Sequence, residues 1–223
     1  MGGAAAGEIA SSLAVDEMLR LLAARSAEPA GAAAPLLQTT EEAIGSANEA
    51  IFTRAQRNYR LNGMGTTMVV LVAEENRVWV LNIGDSRCYR LRAGNLEQIT
   101  LDHSLVEEQV RLGRMTRAEA IRSPLRNVIT RALGTQKKIT PDIFALDVVP
   151  GDRYLLCSDG LTRELSDPQI EALLVADGPL EEQCERLVNS ANKSGGNDNI
   201  TCILVQAEVQ AQAEITIRTK IQV

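Results

Sequence analysis

Histidine is nearly absent from this 223-residue chain, which carries only His103. That excludes sites built on several imidazoles, such as His-rich zinc or haem centres, and leaves at most one imidazole for a catalytic triad. Aromatics are scarce, with two Phe, three Tyr and one Trp, so the core must be aliphatic. The four cysteines, Cys88, Cys157, Cys184 and Cys202, contain no Cys-x-x-Cys pair, and three of them lie in apolar stretches. They read as reduced, buried thiols of a cytoplasmic protein rather than as a disulfide framework. No apolar run approaches the roughly 18 residues that a membrane-spanning helix needs. The opening Met-Gly-Gly-Ala-Ala-Ala has neither the basic nor the continuous apolar segment of a signal peptide, and Ala6 breaks the myristoylation pattern. Positive charge is in deficit: 23 Lys and Arg face 29 Asp and Glu, a net charge of −6. That balance argues against a general nucleic-acid binder, and any metal would be held mostly by carboxylates.

What is present is a regular alternation of periods. Ile9, Leu13, Met18, Leu21 and Leu22 recur at helical spacing, so residues 8–25 read as an amphipathic helix. Pro29 to Pro35 breaks it, and Thr39 with Glu42 reads as a capping box that opens a second helix ending near Asn62-Gly63. Two strands then follow, 67–73 and 78–83, and a hairpin of 88–92 and 96–100 turns at Ala93-Gly94-Asn95. Such short turns force antiparallel pairing and disfavour a doubly wound nucleotide-binding fold. Residues 104–121 read as helix interrupted near Gly113, with Ser104/Glu107 and Thr116/Glu119 as caps. Strands at 144–149 and 153–157 are joined by a Pro150-Gly151 turn. Ser166 with Gln169 caps a helix to Val175, another helix ends at Gly195-Gly196, and 200–205 is a buried strand. The whole is an α+β domain of antiparallel sheets covered by helices. Gly63-Met-Gly-Thr-Thr67 runs from helix into strand, the reverse of a phosphate loop, and reads as tight backbone passage.

Three aspartates share one setting. Asp85 follows a strand in Gly84-Asp-Ser-Arg87, Asp159 follows a strand in Ser158-Asp-Gly160, and Asp198 precedes one in Gly195-Gly-Asn-Asp-Asn199. Carboxylates on one rigid rim, with glycines allowing close backbone approach, suit Mg²⁺ or Mn²⁺. Each alone reads as a turn residue, as Asp152 in Pro150-Gly-Asp152 does, and it is the three together that point to metal.

Taken in order, Gly63-Met-Gly-Thr-Thr67, Gly84-Asp-Ser-Arg87, residues 127–134 (NVITRALG), Pro150-Gly-Asp152, Ser158-Asp-Gly160 and Gly195-Gly-Asn-Asp-Asn199 resemble the bacterial PPM-type (type 2C) protein serine/threonine phosphatases. The resemblance spans residues 1–206, with a helical flap at about 102–135, and leaves 207–223 as an extension that reads as an edge strand, a dimer contact or a linker stub. It implies an antiparallel β-sandwich flanked by helix pairs, and hydrolysis of phosphoserine and phosphothreonine on proteins by a metal-activated water, in the cytoplasm, opposite a Ser/Thr kinase. It also implies two Mn²⁺ or Mg²⁺ ions bound through Asp159 and Asp198, with a third, weaker ion held by Asp85 and Asp159. Gly160, Asn199, Gly2 and Gly3 would neighbour those ions. Such chemistry needs no side-chain nucleophile, so a lone histidine is no obstacle.

There are departures from the family pattern. Met1-Gly2-Gly3 resembles only the end of the family's Asp-Gly-x-Gly-Gly motif, so the bridging Asp, its ligand Gly, a phosphate-binding Arg and the first strand have no counterpart. Two readings follow: a phosphatase whose start lies upstream, or an inactive pseudophosphatase serving as a phosphoprotein-binding regulatory module. The flap region 111–138 holds eight basic side chains against Glu119 alone, a local +7 that leaves −13 for the rest. Such a run is either a solvated face or, through Arg114, Arg117 and Arg126, an attractor for phosphorylated substrates.

Overall fold

The computed structural model describes residues 4–29, 34–74, 77–209 and 215–222. Two compact units emerge: residues 1–68, 81–84 and 103–143 form the first, and residues 69–80, 85–102 and 144–223 the second.

Two helices, α1 (Ala4–Ser26) and α2 (Leu36–Arg57), lie against each other in the first unit. Their seam is narrow because α1 buries Ala6, Ala10, Ala14 and Met18, and α2 buries Ala43, Ile44, Ala47 and Ile51. Small residues four apart on one face let two helix backbones approach closely. The larger Ile9 and Leu13 are only partly covered. The expected Thr39 capping box is corrected: α2 begins at Leu36, with Pro35 as N-cap. Proline costs nothing at a helix start, where its missing N–H has no acceptor. Thr39 and Thr40 then sit inside the helix and donate their hydroxyls back to Pro35 O and Leu36 O. The helix also ends earlier than the sequence suggests, at Arg57, and a 3-10 turn (Tyr59–Leu61) carries the chain on.

Residues 105–122 form two short helices, α3 (Leu105–Arg111) and α4 (Arg117–Arg122), where the sequence predicts an interrupted one. Both predicted caps are present: Ser104 Oγ accepts from Glu107 N–H, and Thr116 with Glu119 makes a complete capping box. Asn48 ties α2 to residues 134–137, accepting from Gly134 N–H at 2.8 Å and donating to Gln136 O and Lys137 O.

Among the described residues, eight strands make two sheets. β1 (Met68–Glu74), β2 (Arg77–Ile83) and β5 (Asp142–Asp147) form one, in the order β1-β2-β5. β3 (Arg87–Arg92), β4 (Asn95–Gln98), β6 (Arg153–Cys157), β7 (Cys202–Val209) and β8 (Ile215–Gln222) form the other, in the order β4-β3-β6-β7-β8. Every pairing in this five-stranded sheet is antiparallel. The β3–β4 turn places Ala93 and Gly94 at φ 50° and 82°, the left-handed pair that a two-residue hairpin needs. The strands expected on either side of Pro150-Gly151 are present, as β5 and β6. β5 and β6 belong to different sheets, so the Pro150-Gly151 turn carries the chain from one layer to the other.

Within the second unit, one apolar cluster joins Val78 and Val80 of β2 to Cys88, Tyr154, Leu156 and Val205 of the larger sheet. The other face of that sheet is covered by α5 (Asp159–Thr162), α6 (Asp167–Val175) and α7 (Leu180–Ser194), where Leu161, Leu165, Ile170, Leu174, Cys184 and Leu187 meet Tyr89, Leu155 and Leu204. All four cysteines are buried free thiols. Burial raises the Cys157 thiol to about 12, which keeps it unreactive at neutral pH. Among the described residues no helix is long and apolar enough to cross a membrane.

Candidate active site

β6 is a buried central strand, and its register sets Cys157 opposite Cys202 of β7. The residues just beyond that pair are stitched together. Ser158 N–H donates to Thr201 O and Thr201 N–H to Ser158 Oγ, both at 3.0 Å, and Ser158 Oγ donates to Asn199 O at 3.2 Å. Gly160 permits the approach: a Cβ there would stand 2.3 Å from Asn199 O, inside contact distance. One turn on, Glu164 accepts from the Asn197 backbone N–H and from Asn197 Nδ2. These contacts bring Asp159, at the start of α5, to Asp198, in the loop before β7.

The two carboxylates meet at one cation. Arg163 pairs with Asp159 through Nη2 and with Asp198 Oδ2 through Nη1 at 2.8 Å. Burial raises the Asp159 carboxyl above its ordinary value; Asp198 adds to the rise and Arg163 opposes it. Asp85 lies in the turn between β2 and β3, is only 8% exposed, and has no ion pair among the described residues. Burial, then the negative charges of Asp159 and Asp102, push it up to about 6. Asp102 is itself fixed by Arg87, which donates to both its oxygens at 2.7–3.1 Å and to Tyr89 OH at 2.7 Å.

The donor set fits a hard cation. Two carboxylates already converge on a positive group, and a third is buried near the negative charges of Asp159 and Asp102, the situation that an oxygen-ligated divalent ion relieves. Among the described residues no three acidic, His or Cys side chains converge closely enough to chelate an ion as they stand. Asp159 and Asp198 form the centre, and Asp85 stands beside it.

Of the other residues singled out in the sequence, Gly160 and Asn199 fall at this centre, whereas Gly2 and Gly3 lie outside the described residues. Arg114, Arg117 and Arg126 belong to the first unit and are exposed there. Arg117 pairs with Glu107 at 3.2 Å, and Arg126 donates to Ile121 O. His103, also in the first unit, is buried; its Nδ1 accepts from Gly84 N–H at 3.0 Å, so Nε2 carries the proton shared with Asp142. Gly84 needs this hold: at φ +111° its backbone is one that L side chains rarely adopt, and a Cβ would meet Thr67 Cγ2 at 2.3 Å. The sequence reading missed Arg163 and Glu164, although Asp159 and Arg163 stand at the i, i+4 spacing of a helical ion pair.

Residues 1–205 match the family model described as "Protein phosphatase 2C". The chain belongs to that family. Among its relatives, the serine/threonine phosphatase stp of Listeria monocytogenes is 38% identical over 216 residues, covering 94% of this chain and 82% of the relative. The crystal structure of the Mycobacterium tuberculosis serine/threonine phosphatase PstP/Ppp superposes with a TM-score of 0.82 at 38% identity, covering 93% of this chain and 85% of that one. A second structure, of the catalytic domain of PstP, holds two manganese ions; it matches with a TM-score of 0.79 at 38% identity over 92% of this chain and 82% of that one. The α+β architecture of antiparallel sheets covered by helices is thus that of solved protein phosphatase 2C members.

Proposed function

We propose that this chain is a metal-dependent protein phosphatase that removes phosphate from phosphoserine and phosphothreonine. The observation that carries the reading is the convergence of Asp159 and Asp198 on one positive group, beside buried Asp85, in a protein phosphatase 2C domain. Asp159 and Asp198 would hold Mn²⁺ or Mg²⁺, and Asp85 with Asp159 a weaker ion. Bound ions supply an activated water and neutralise charge on the phosphoryl group. The protein's part is to fix the ligands: the Ser158–Thr201 stitching and the Gly160 contact set the Asp159–Asp198 spacing, and Arg87 holds Asp102 beside Asp85. The proposal takes residues 1–206 as the catalytic domain, with the flap at about 102–135 and 207–223 as an added segment. Exposed Arg114, Arg117 and Arg126 would attract phosphorylated protein surfaces. A cytoplasmic setting opposite a Ser/Thr kinase completes the reading.

The test is phosphate release from an aryl phosphate and from a phosphothreonine peptide, with Mn²⁺ and after chelation. It is run on this chain with and without an Asp-Gly pair fused ahead of Met1, which completes the Asp-Gly-x-Gly-Gly motif. Mn²⁺-dependent turnover that chelation abolishes is expected; turnover indifferent to metal would overturn the reading. Charge reversal at Arg114 and Arg117 should lower peptide turnover roughly tenfold while sparing the aryl phosphate, since steering acts on charged surfaces. Equal loss on both substrates would show that the arginines serve the fold instead.

A further inference from the structure

The guanidinium of Arg163 lies between the two carboxylates to which the proposed function assigns metal, and neither the charge run in the flap nor the aspartate pattern accounts for it. It reaches Asp159 one helical turn back and Asp198 across the loop, so a single positive charge is shared by both carboxylates. We infer that Arg163 is a tethered cation competing with divalent metal for Asp159 and Asp198, so that metal entry is an exchange in which the guanidinium must swing out. The inference rests on that assignment of metal ligands.

The local architecture allows the exchange. Arg163 is 28% exposed, so its side chain has a path to solvent, and it lies at the end of α5 rather than in the core. The loop bearing Asp198 does not depend on it. Glu164 holds Asn197, Ser158 holds Asn199 and Thr201, and Gly160 packs on Asn199 O. Withdrawing the guanidinium therefore leaves the carboxylates in place and exposes their charge to an ion. Retaining it sets a threshold below which metal does not bind.

The measurement is Mn²⁺ affinity by titration calorimetry on the chelator-stripped chain, for wild type, Arg163→Gln, Arg163→Lys and Asp159→Asn. Losing two partly exposed ion pairs should give Arg163→Gln a roughly tenfold gain in affinity. Arg163→Lys keeps a positive charge and should stay near wild type, which separates charge from a change in packing. Without metal, the melting temperature of Arg163→Gln should fall by a few degrees and recover as Mn²⁺ is added. Equal affinity in wild type and Arg163→Gln, both abolished by Asp159→Asn, would overturn the inference while leaving the metal centre intact. Binding that is indifferent to Asp159→Asn in every variant would overturn the metal assignment and the inference with it.

Discussion

Asp159→Asn should remove at least about a hundredfold of Mn²⁺-dependent aryl phosphate hydrolysis, because even partners outside the ligand shell are commonly worth 10- to 100-fold. The effect should exceed that of any other single carboxylate because the proposed assignment makes Asp159 a shared ligand. It faces Asp198 through Arg163 and raises Asp85 by its charge, so under the proposed assignment it would serve the paired site and the weaker site alike. Asparagine keeps the shape and one oxygen but not the charge, and leaves Arg163 with a single partner. The fold should survive, since Leu161 and Leu165 anchor the segment from below, both nearly fully buried. Steady-state rates beside a circular dichroism melt check this. Asp85→Asn is the internal comparison and should cost roughly tenfold or less if it serves only a weaker ion. A smaller effect for Asp159→Asn than for Asp85→Asn would reverse the assignment of the paired and weaker sites.

The meeting of Asp159 with Asp198 was legible in the sequence to the extent that it rests on strand ends and glycines. Ser158-Asp-Gly160 and Gly195-Gly-Asn-Asp-Asn199 mark places where one backbone passes close to another, and the structure uses Gly160 for that purpose. Arg163 was not legible as part of it. An arginine four residues after an aspartate is ordinary on a helix, and only the β6–β7 register brings Asp198 within its reach. Helix caps were read well where nothing upstream could extend the helix, as at Thr116 and Ser166. They were read wrongly at Thr39, where Pro35-Leu36-Leu37 could add a turn. The Pro150-Gly151 reversal was visible, but a turn signal reports that the chain changes direction, not which sheet receives it. That choice was made by side chains on both faces of β5 and β6, which no local window contains.

Asp152 shows how a residue set aside as turn chemistry can govern stability, and Asp152→Ala should destabilise the chain by about 3 kcal/mol. Its side chain is 1% exposed and accepts four hydrogen bonds: from Arg92 Nε and Nη2 at 2.7 and 2.6 Å, Val149 N–H at 2.9 Å and Tyr154 OH at 3.2 Å. Alanine strands the buried Tyr154 hydroxyl and the Val149 N–H. Arg92 is 35% exposed and can turn to water, which keeps the loss below that of a fully buried ion pair. For a chain of this size the melting temperature should drop by roughly 6–12 °C. The pH dependence fixes the mechanism. Burial alone would raise the Asp152 carboxyl, but the Arg92 pair and the Val149 N–H more than offset it and hold the group below the usual aspartate range. A depressed folded value means the stabilisation is complete above the ordinary aspartate pKa of about 4 and is lost as pH falls through the folded value. Urea melts from pH 7 to pH 3 should therefore show the gap between wild type and Asp152→Ala widest at neutral pH and closing in acid. A gap that stayed constant down to pH 3 would mean that the loss comes from the turn backbone rather than from the carboxylate.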